Sequence, residues 1–141
     1  SALYPGAESL LTGLREAGMK LAVATGKSRK GLQRGWGNTG LDRYFHASRC
    51  ADESHSKPHP AMVLELLDEM SVPAQRAIVV GDTTFDLDMA RAAGVDRVAV
   101  SYGAHPVEKL LPCEPLAVID RLHHLLPVLG LAATELVTES L

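Results

Sequence analysis

The chain has 141 residues, 46% of them hydrophobic, and a formal net charge of -3; this bounds it to one globular domain able to bury a core, and excludes a disordered segment or a basic binder of nucleic acid or anionic membrane. Cys50 and Cys113 match neither a metal-knuckle spacing nor a disulfide framework, and nothing resembles a signal peptide or a long apolar span. The expected setting is a reducing cytoplasm.

In chain order, residues 5–17 place Ala7, Leu10, Leu11 and Leu14 at helical spacing after a Pro-Gly start, with Gly18 where a C′ glycine belongs. Lys20–Ala24 reads as a short buried strand, and residues 28–34 suit a basic helix. Gly31, Gly35 and Gly37 weaken that helix by about 1 kcal/mol each relative to alanine. Residues 45–50 form a candidate short strand, residues 60–70 an amphipathic helix with Pro60 in its first turn, and residues 76–81 the most apolar strand. A helix over 83–93, closed by Gly94, leads to a strand over 97–101. A last short strand over 117–120 and a helix over 121–129, broken by Pro127, complete the pattern. Alternation of this kind predicts an α/β fold with a parallel sheet and helices on both faces. Residues 1–131 would form the core and 132–141 a frayed tail.

Three constellations fall at strand ends. In Val23-Ala24-Thr25-Gly26-Lys27-Ser28 a hydroxyl at the strand's edge is followed by glycine and by a candidate N-cap, Ser28. Thr25 Oγ1 and the free N–H groups of that turn, at Gly26 for instance, would cradle an anion; an ordinary capped turn is the alternative. In Ser56-Lys57-Pro58-His59-Pro60, prolines restrict the backbone just after a lysine, which would fix a cation over a phosphate, unless Lys57 is a solvated loop residue. In the third, Asp82 ends the most apolar strand, where an open α/β sheet puts its ligand site. Asp86 starts the next helix, so a tight turn at Gly81 could bring both carboxylates to one side, as a hard cation such as Mg²⁺ requires. Acids serving the helix macrodipole are the alternative; that account covers Asp86 well and Asp82 poorly.

The ordered set of Thr25, Lys57 in a Lys-Pro-x-Pro context, and Gly81-Asp82-x-x-x-Asp86 resembles motifs two, three and four of the haloacid dehalogenase superfamily of phosphatases. The Pro-Gly start, the Gly-Asp-Thr turn and Ala93-Gly94 are similar to its phosphoglycolate phosphatase-like branch, and the resemblance covers residues 4–125. It implies a Rossmann-like core and a Mg²⁺-dependent phosphomonoesterase acting on a small, phosphoglycolate-like phosphorylated metabolite. In the family one aspartate attacks phosphorus and a second, two residues later, protonates the leaving oxygen. By resemblance, Thr25 would hydrogen-bond a phosphoryl oxygen, with Gly26 beside it. Lys57 would steady the nucleophile and the developing charge, Asp82 would ligate Mg²⁺, and Asp86 would hold a metal-bound water or brace the loop.

The family's first motif, Asp-x-Asp-Gly-Thr, does not occur in the 141 residues. The expectation is a C-terminal portion of a longer protein, with nucleophile, general acid and cap elsewhere, catalytically incomplete alone. Asp86-Leu87-Asp88 has the spacing, but i and i+2 on a helix point about 200° apart. Residues 35–40 fit a dinucleotide fingerprint on paper, yet they follow a helix-like segment instead of a strand and read as a loose helix end. In the family the nucleophile strand lies between the strand of Lys20–Ala24 and that of residues 76–81. Its absence would leave two apolar edges in mid-sheet, to be closed by each other, by a second copy, or by the missing N-terminal segment.

His55, His59 and His105 lie in loops near these segments without metal-ligand spacing, and His123 and His124 fit a helix surface. Trp36 fits partial burial, and Ser101-Tyr102-Gly103 fits a loop bordering the site. The expected partner is a small phosphorylated substrate, with neither nucleic acid nor membrane. Two rivals are a non-catalytic phosphate-binding or interaction module, and a receiver domain, which would need an acidic pair near the first strand.

Overall fold

The computed structural model describes residues 6–129 and the backbone of Leu136–Glu139. Pro5 of the expected helix start, and the expected tail apart from Leu136–Glu139, lie outside the described residues. The first helix, α1 (Ala7–Glu16), buries the expected stripe of Ala7, Leu10, Leu11 and Leu14. Gly18 then turns the chain at φ 83°, a left-handed conformation suited to glycine, into β1 (Lys20–Ala24). Next come α2 (Arg29–Thr39), β2 (Ala47–Arg49), α3 (Ala61–Met70), β3 (Ala77–Gly81) and α4 (Thr84–Ala92). The chain continues through β4 (Asp96–Val100), α5 (Val107–Leu110), β5 (Ala117–Ile119), α6 (Leu125–Leu129) and β6 (Leu136–Glu139). No helix among the described residues is long and apolar enough to cross a membrane.

The six strands form one sheet in the order β2-β1-β6-β3-β4-β5, with every pairing parallel. Side chains alternate across it as the pleat requires. Leu21, Ile78, Val80, Val98 and Val100 face one apolar layer with α1 and α6, while Ala22, Ala24, Ala77 and Val79 face another with α3 and α4. All five residues of β3 are buried, which fits a central parallel strand covered on both faces. The expected α/β architecture is therefore present.

Three local expectations change. Helix α2 runs to Thr39, five residues past the expected end at 34, through Gly35 and Gly37. Leu32 is buried and Trp36 stacks on Phe45 with ring centroids 5.9 Å apart, so packing of one helix face outweighs the glycine penalty. Pro127 does not break a helix: Leu122–His124 is a 3₁₀ turn, and α6 starts at Leu125, placing proline in a first turn where no intrahelical N–H is needed.

The third correction concerns the tail. Leu136–Glu139, expected to fray, pairs with β1 on one side (Leu136 with Lys20, Glu139 with Val23) and with β3 on the other (Leu136 with Ala77, Glu139 with Val80). The two mid-sheet edges expected to stand open are thus closed by this chain's own strand. Buried strands cannot leave their N–H and C=O groups unpaired, and a four-residue segment at the right distance along the chain meets that need.

Candidate functional site

Because β1 and β3 run parallel on either side of β6, both deliver their following residues to the same edge of the sheet. Val23 and Val80 share a register level through Glu139, which puts Thr25 and Asp82 two residues beyond it, roughly 10 Å apart across two strand spacings. Three of the expected segments converge at this carboxyl edge: the turn after β1, the loop carrying Lys57, and the turn after β3.

The tightest contact is the ion pair of Lys57 Nζ with Asp86 Oδ1 at 2.5 Å, between side chains only 9% and 1% exposed. Burial this deep is tolerated for an acid only when every oxygen is engaged. Asp86 Oδ2 accepts from the N–H of Asp82 (3.3 Å), the N–H of Thr83 (3.2 Å) and Thr83 Oγ1 (2.9 Å). In return the Asp86 N–H donates to Thr83 Oγ1 at 3.2 Å, completing a capping box at the start of α4. Of the two roles expected for Asp86, this geometry fits bracing the loop. Asp86 does lie in the first turn of α4, where the macrodipole favours an acid, and it also meets a specific cation, Lys57, from another loop.

Asp82 differs. It is partly exposed, and among the described residues its carboxylate accepts a single hydrogen bond, to Oδ2 from the Ala104 N–H at 3.0 Å. A hard cation takes oxygen ligands of this kind, so Asp82 fits a Mg²⁺ site, whereas both oxygens of Asp86 are already committed. Two glycines shape the surroundings. A Cβ on Gly81 would stand 2.4 Å from Asp86 Cβ, and one on Gly103 would stand 2.1 Å from Asp82 Cβ. Neither position tolerates a side chain without displacing an acid.

On the β1 side Thr25 is 2% exposed, and its Oγ1 accepts the Lys27 N–H at 3.1 Å, which leaves the hydroxyl proton to donate elsewhere. The N–H groups of Gly26 and Ser28 reach no acceptor among the described residues, and a Cβ on Gly26 would meet nothing within 4 Å. Ser28 caps α2 as expected, its Oγ accepting the Gly31 N–H at 3.1 Å. The turn is therefore both readings at once: a capped helix start and an open rank of donors suited to an anion.

Asp86-Leu87-Asp88 behaves as the helical projection requires, with Asp86 buried and Asp88 exposed. Loop 101–106 carries the residues that sequence reasoning underrated: besides Ala104, the His105 N–H donates to the Asp82 carbonyl at 3.1 Å, and His105 Nδ1 accepts the Thr84 N–H at 3.1 Å. The advance signals were Ser101-Tyr102-Gly103 at a strand end and the place of His105 in a loop near the site-bearing segments, where it was read as a loop histidine.

One further cluster, Cys50, Asp52 and Glu53, has its donor atoms within 4.8 Å of one another. Its acids are spent on α2. Asp52 Oδ1 accepts the Arg29 N–H at 3.0 Å, and Glu53 pairs with the Arg29 guanidinium at 2.7 Å. Burial pushes the Cys50 thiol up, away from the thiolate a metal would need. The hydrogen bond from Arg29 holds Glu53 at about 2 against an ordinary 4.5. In that interval the unfolded chain binds more protons, so the pair's contribution is full above pH 4.5 and is lost as pH falls toward about 2. Glu53→Gln is expected to flatten the acid limb of stability in that window, read by thermal melts at stepped pH. Superimposable limbs for wild type and variant would remove the pair from the acid response.

A family model for "Haloacid dehalogenase-like hydrolase" matches residues 1–100. A protein of Dickeya dadantii named "Probable phosphatase IndB" is 38% identical over 122 residues, covering 84% of this chain and 52% of that protein. The phosphoglycolate phosphatase of Pseudomonas fluorescens is 34% identical over 126 residues, 89% of this chain and 46% of its own. The chain thus spans about half the length of the curated relatives it matches. Among solved structures, one described as "a predicted phosphoglycolate phosphatase" from Haemophilus somnus superposes with a TM-score of 0.84 at 27% identity, covering 90% of this chain and 57% of that one.

Proposed function

The chain belongs to the haloacid dehalogenase-like hydrolase family, and from that premise we propose that it forms the phosphate- and Mg²⁺-binding half of a phosphomonoesterase acting on a small, phosphoglycolate-like phosphorylated metabolite. The observation that carries the reading is the buried Lys57–Asp86 pair, tied through the Asp82 N–H to a residue whose own carboxylate is less encumbered. A structural ion pair alone explains the first two residues and gives no account of the third.

In this reading Asp82 is the ligand for Mg²⁺, which when bound neutralises phosphoryl charge. Thr25 donates its hydroxyl proton to a phosphoryl oxygen, while its Oγ1 accepts the Lys27 N–H, which fixes the side chain. The N–H groups of Gly26 and Ser28 add donors from the same turn. Lys57 supplies a fixed positive charge, held in place by Asp86, so no reorganisation is needed as charge develops. No Asp-x-Asp pair lies in Leu136-Val137-Thr138-Glu139, the strand between β1 and β3. These residues therefore bind and position phosphate without forming a phosphoaspartate. The cytoplasm as the setting and Mg²⁺ as the ion belong to the same proposal.

Calorimetric titration of the 141-residue chain with inorganic phosphate in the presence of Mg²⁺ tests this. Saturable binding is expected, weakened at least tenfold by Asp82→Ala and abolished by chelation of the metal. Absence of binding in the wild-type chain would overturn the assignment. Release of 4-nitrophenol from its phosphate ester by this chain would overturn the claim that it lacks the nucleophile.

A further inference from the structure

Among the described residues, the backbone and side chain of Asp82 are held from outside their own strand and helix by one segment, loop 101–106. We propose that His105 is a positioning residue whose ring, acting through Thr84, clamps this loop against the turn and so fixes the direction in which the Asp82 carboxylate points. The proposal rests on the metal-binding reading of Asp82 for its function, although the positioning itself is readable without metal.

The need for such a clamp comes from α4. Thr84 is the first residue of that helix, and its N–H has no intrahelical acceptor. The local cap is already used, because Thr83 Oγ1 accepts from Asp86 N–H. His105 Nδ1 supplies the missing acceptor at 3.1 Å from a loop 21 residues further along. An accepting Nδ1 places the ring proton on Nε2, so the hydrogen bond also selects the tautomer. The ring then rests against Phe85 with centroids 5.8 Å apart, and Phe85 is itself half exposed.

The same loop makes two backbone bonds to Asp82: the His105 N–H to the carbonyl at 3.1 Å, and the Ala104 N–H to Oδ2 at 3.0 Å. Ala104 is exposed, so water competes for that carboxylate oxygen. Two amides on a surface loop do not by themselves hold a rotatable carboxylate. The ring anchors the loop at a third point, the Thr84 N–H two residues beyond Asp82, and the loop becomes a rigid cradle. Gly103, packed on Asp82 with no room for a Cβ, is the fourth wall.

His105→Ala and His105→Asn, each made in the 141-residue chain, provide the test. Asparagine places its side-chain oxygen near the position of Nδ1 and can accept the Thr84 N–H; alanine cannot. Amide hydrogen exchange followed by NMR is expected to accelerate at least tenfold at both Thr84 and Ala104 in His105→Ala, with amides outside loop 101–106 and the turn after β3 unchanged. His105→Asn is expected to restore both to within threefold of wild type. Mn²⁺ affinity, read by its paramagnetic relaxation of water, should fall and recover in the same order. Unchanged exchange at Ala104 in His105→Ala would overturn the proposal, as would failure of asparagine to rescue, which would leave only ring packing on Phe85. Wild-type chain that binds no Mn²⁺ would remove the metal reading of Asp82, while the amide result would still decide the positioning claim.

Discussion

Asp86→Ala is expected to destabilise the protein by about 3–5 kcal/mol, the usual consequence of stranding one member of a buried ion pair. The Asp86 side chain is 1% exposed and that of Lys57 9% exposed, so the lysine cannot regain full hydration without dragging its loop outward. The same substitution removes the acceptor for two backbone N–H groups and the Thr83 hydroxyl. Loss of that capping box contributes about 1 kcal/mol of the total. Urea unfolding at constant slope would measure the effect as a shift in midpoint. The double variant Lys57→Met with Asp86→Ala should be more stable than Asp86→Ala alone, because no ammonium then has to be kept from water beside the vacated carboxylate position. A single variant within about 1 kcal/mol of wild type would show that the pair is not buried in solution as described.

Gly103→Ala should have the largest effect on ligand binding of any substitution that adds only one methyl group. Its Cβ would stand 2.1 Å from Asp82 Cβ, 2.7 Å from Cγ and 2.6 Å from Oδ2. The acid must therefore move, and with it the hydrogen bond from Ala104. Overpacking of this kind costs about 1–3 kcal/mol in stability, yet the affinity for phosphate with Mg²⁺ is expected to drop at least tenfold. Gly81→Ala reverses the balance, since its Cβ would stand 2.4 Å from the Cβ of buried Asp86 and would unseat the ion pair itself. Both glycines are required for space; neither is among those with positive φ. Parallel thermal melts and phosphate titrations separate the two, and a Gly103→Ala variant that binds like wild type would refute the close packing on which the site depends.

Much of the fold was legible because its signals are local. Strand β1 has the expected bounds, Lys20–Ala24, α1 follows its four-residue stripe, and Gly18 and Gly94 end helices by the left-handed conformation that glycine adopts most easily. The extent of α2 was not legible. Three glycines argue against a helix, and only the contact of Trp36 with Phe45 and the burial of Leu32 reverse that argument. The place of β6 was less legible still. Leu-Val-Thr-Glu is too short to declare itself, and its pairing depends on two strands separated from each other by more than fifty residues.

The candidate site divides in the same way. The order and spacing of Thr25, Lys57, Asp82 and Asp86 belong to the sequence, because each residue type must sit at a particular point of a strand-to-helix turn to be useful. Which acid faces a cation and which keeps an oxygen available belongs to the tertiary structure, since Lys57 reaches Asp86 across 29 residues and loop 101–106 reaches Asp82 across about twenty. Charge pairing and burial are properties of neighbours in space. A sequence names the groups that can ionise; only packing decides which of them water still reaches.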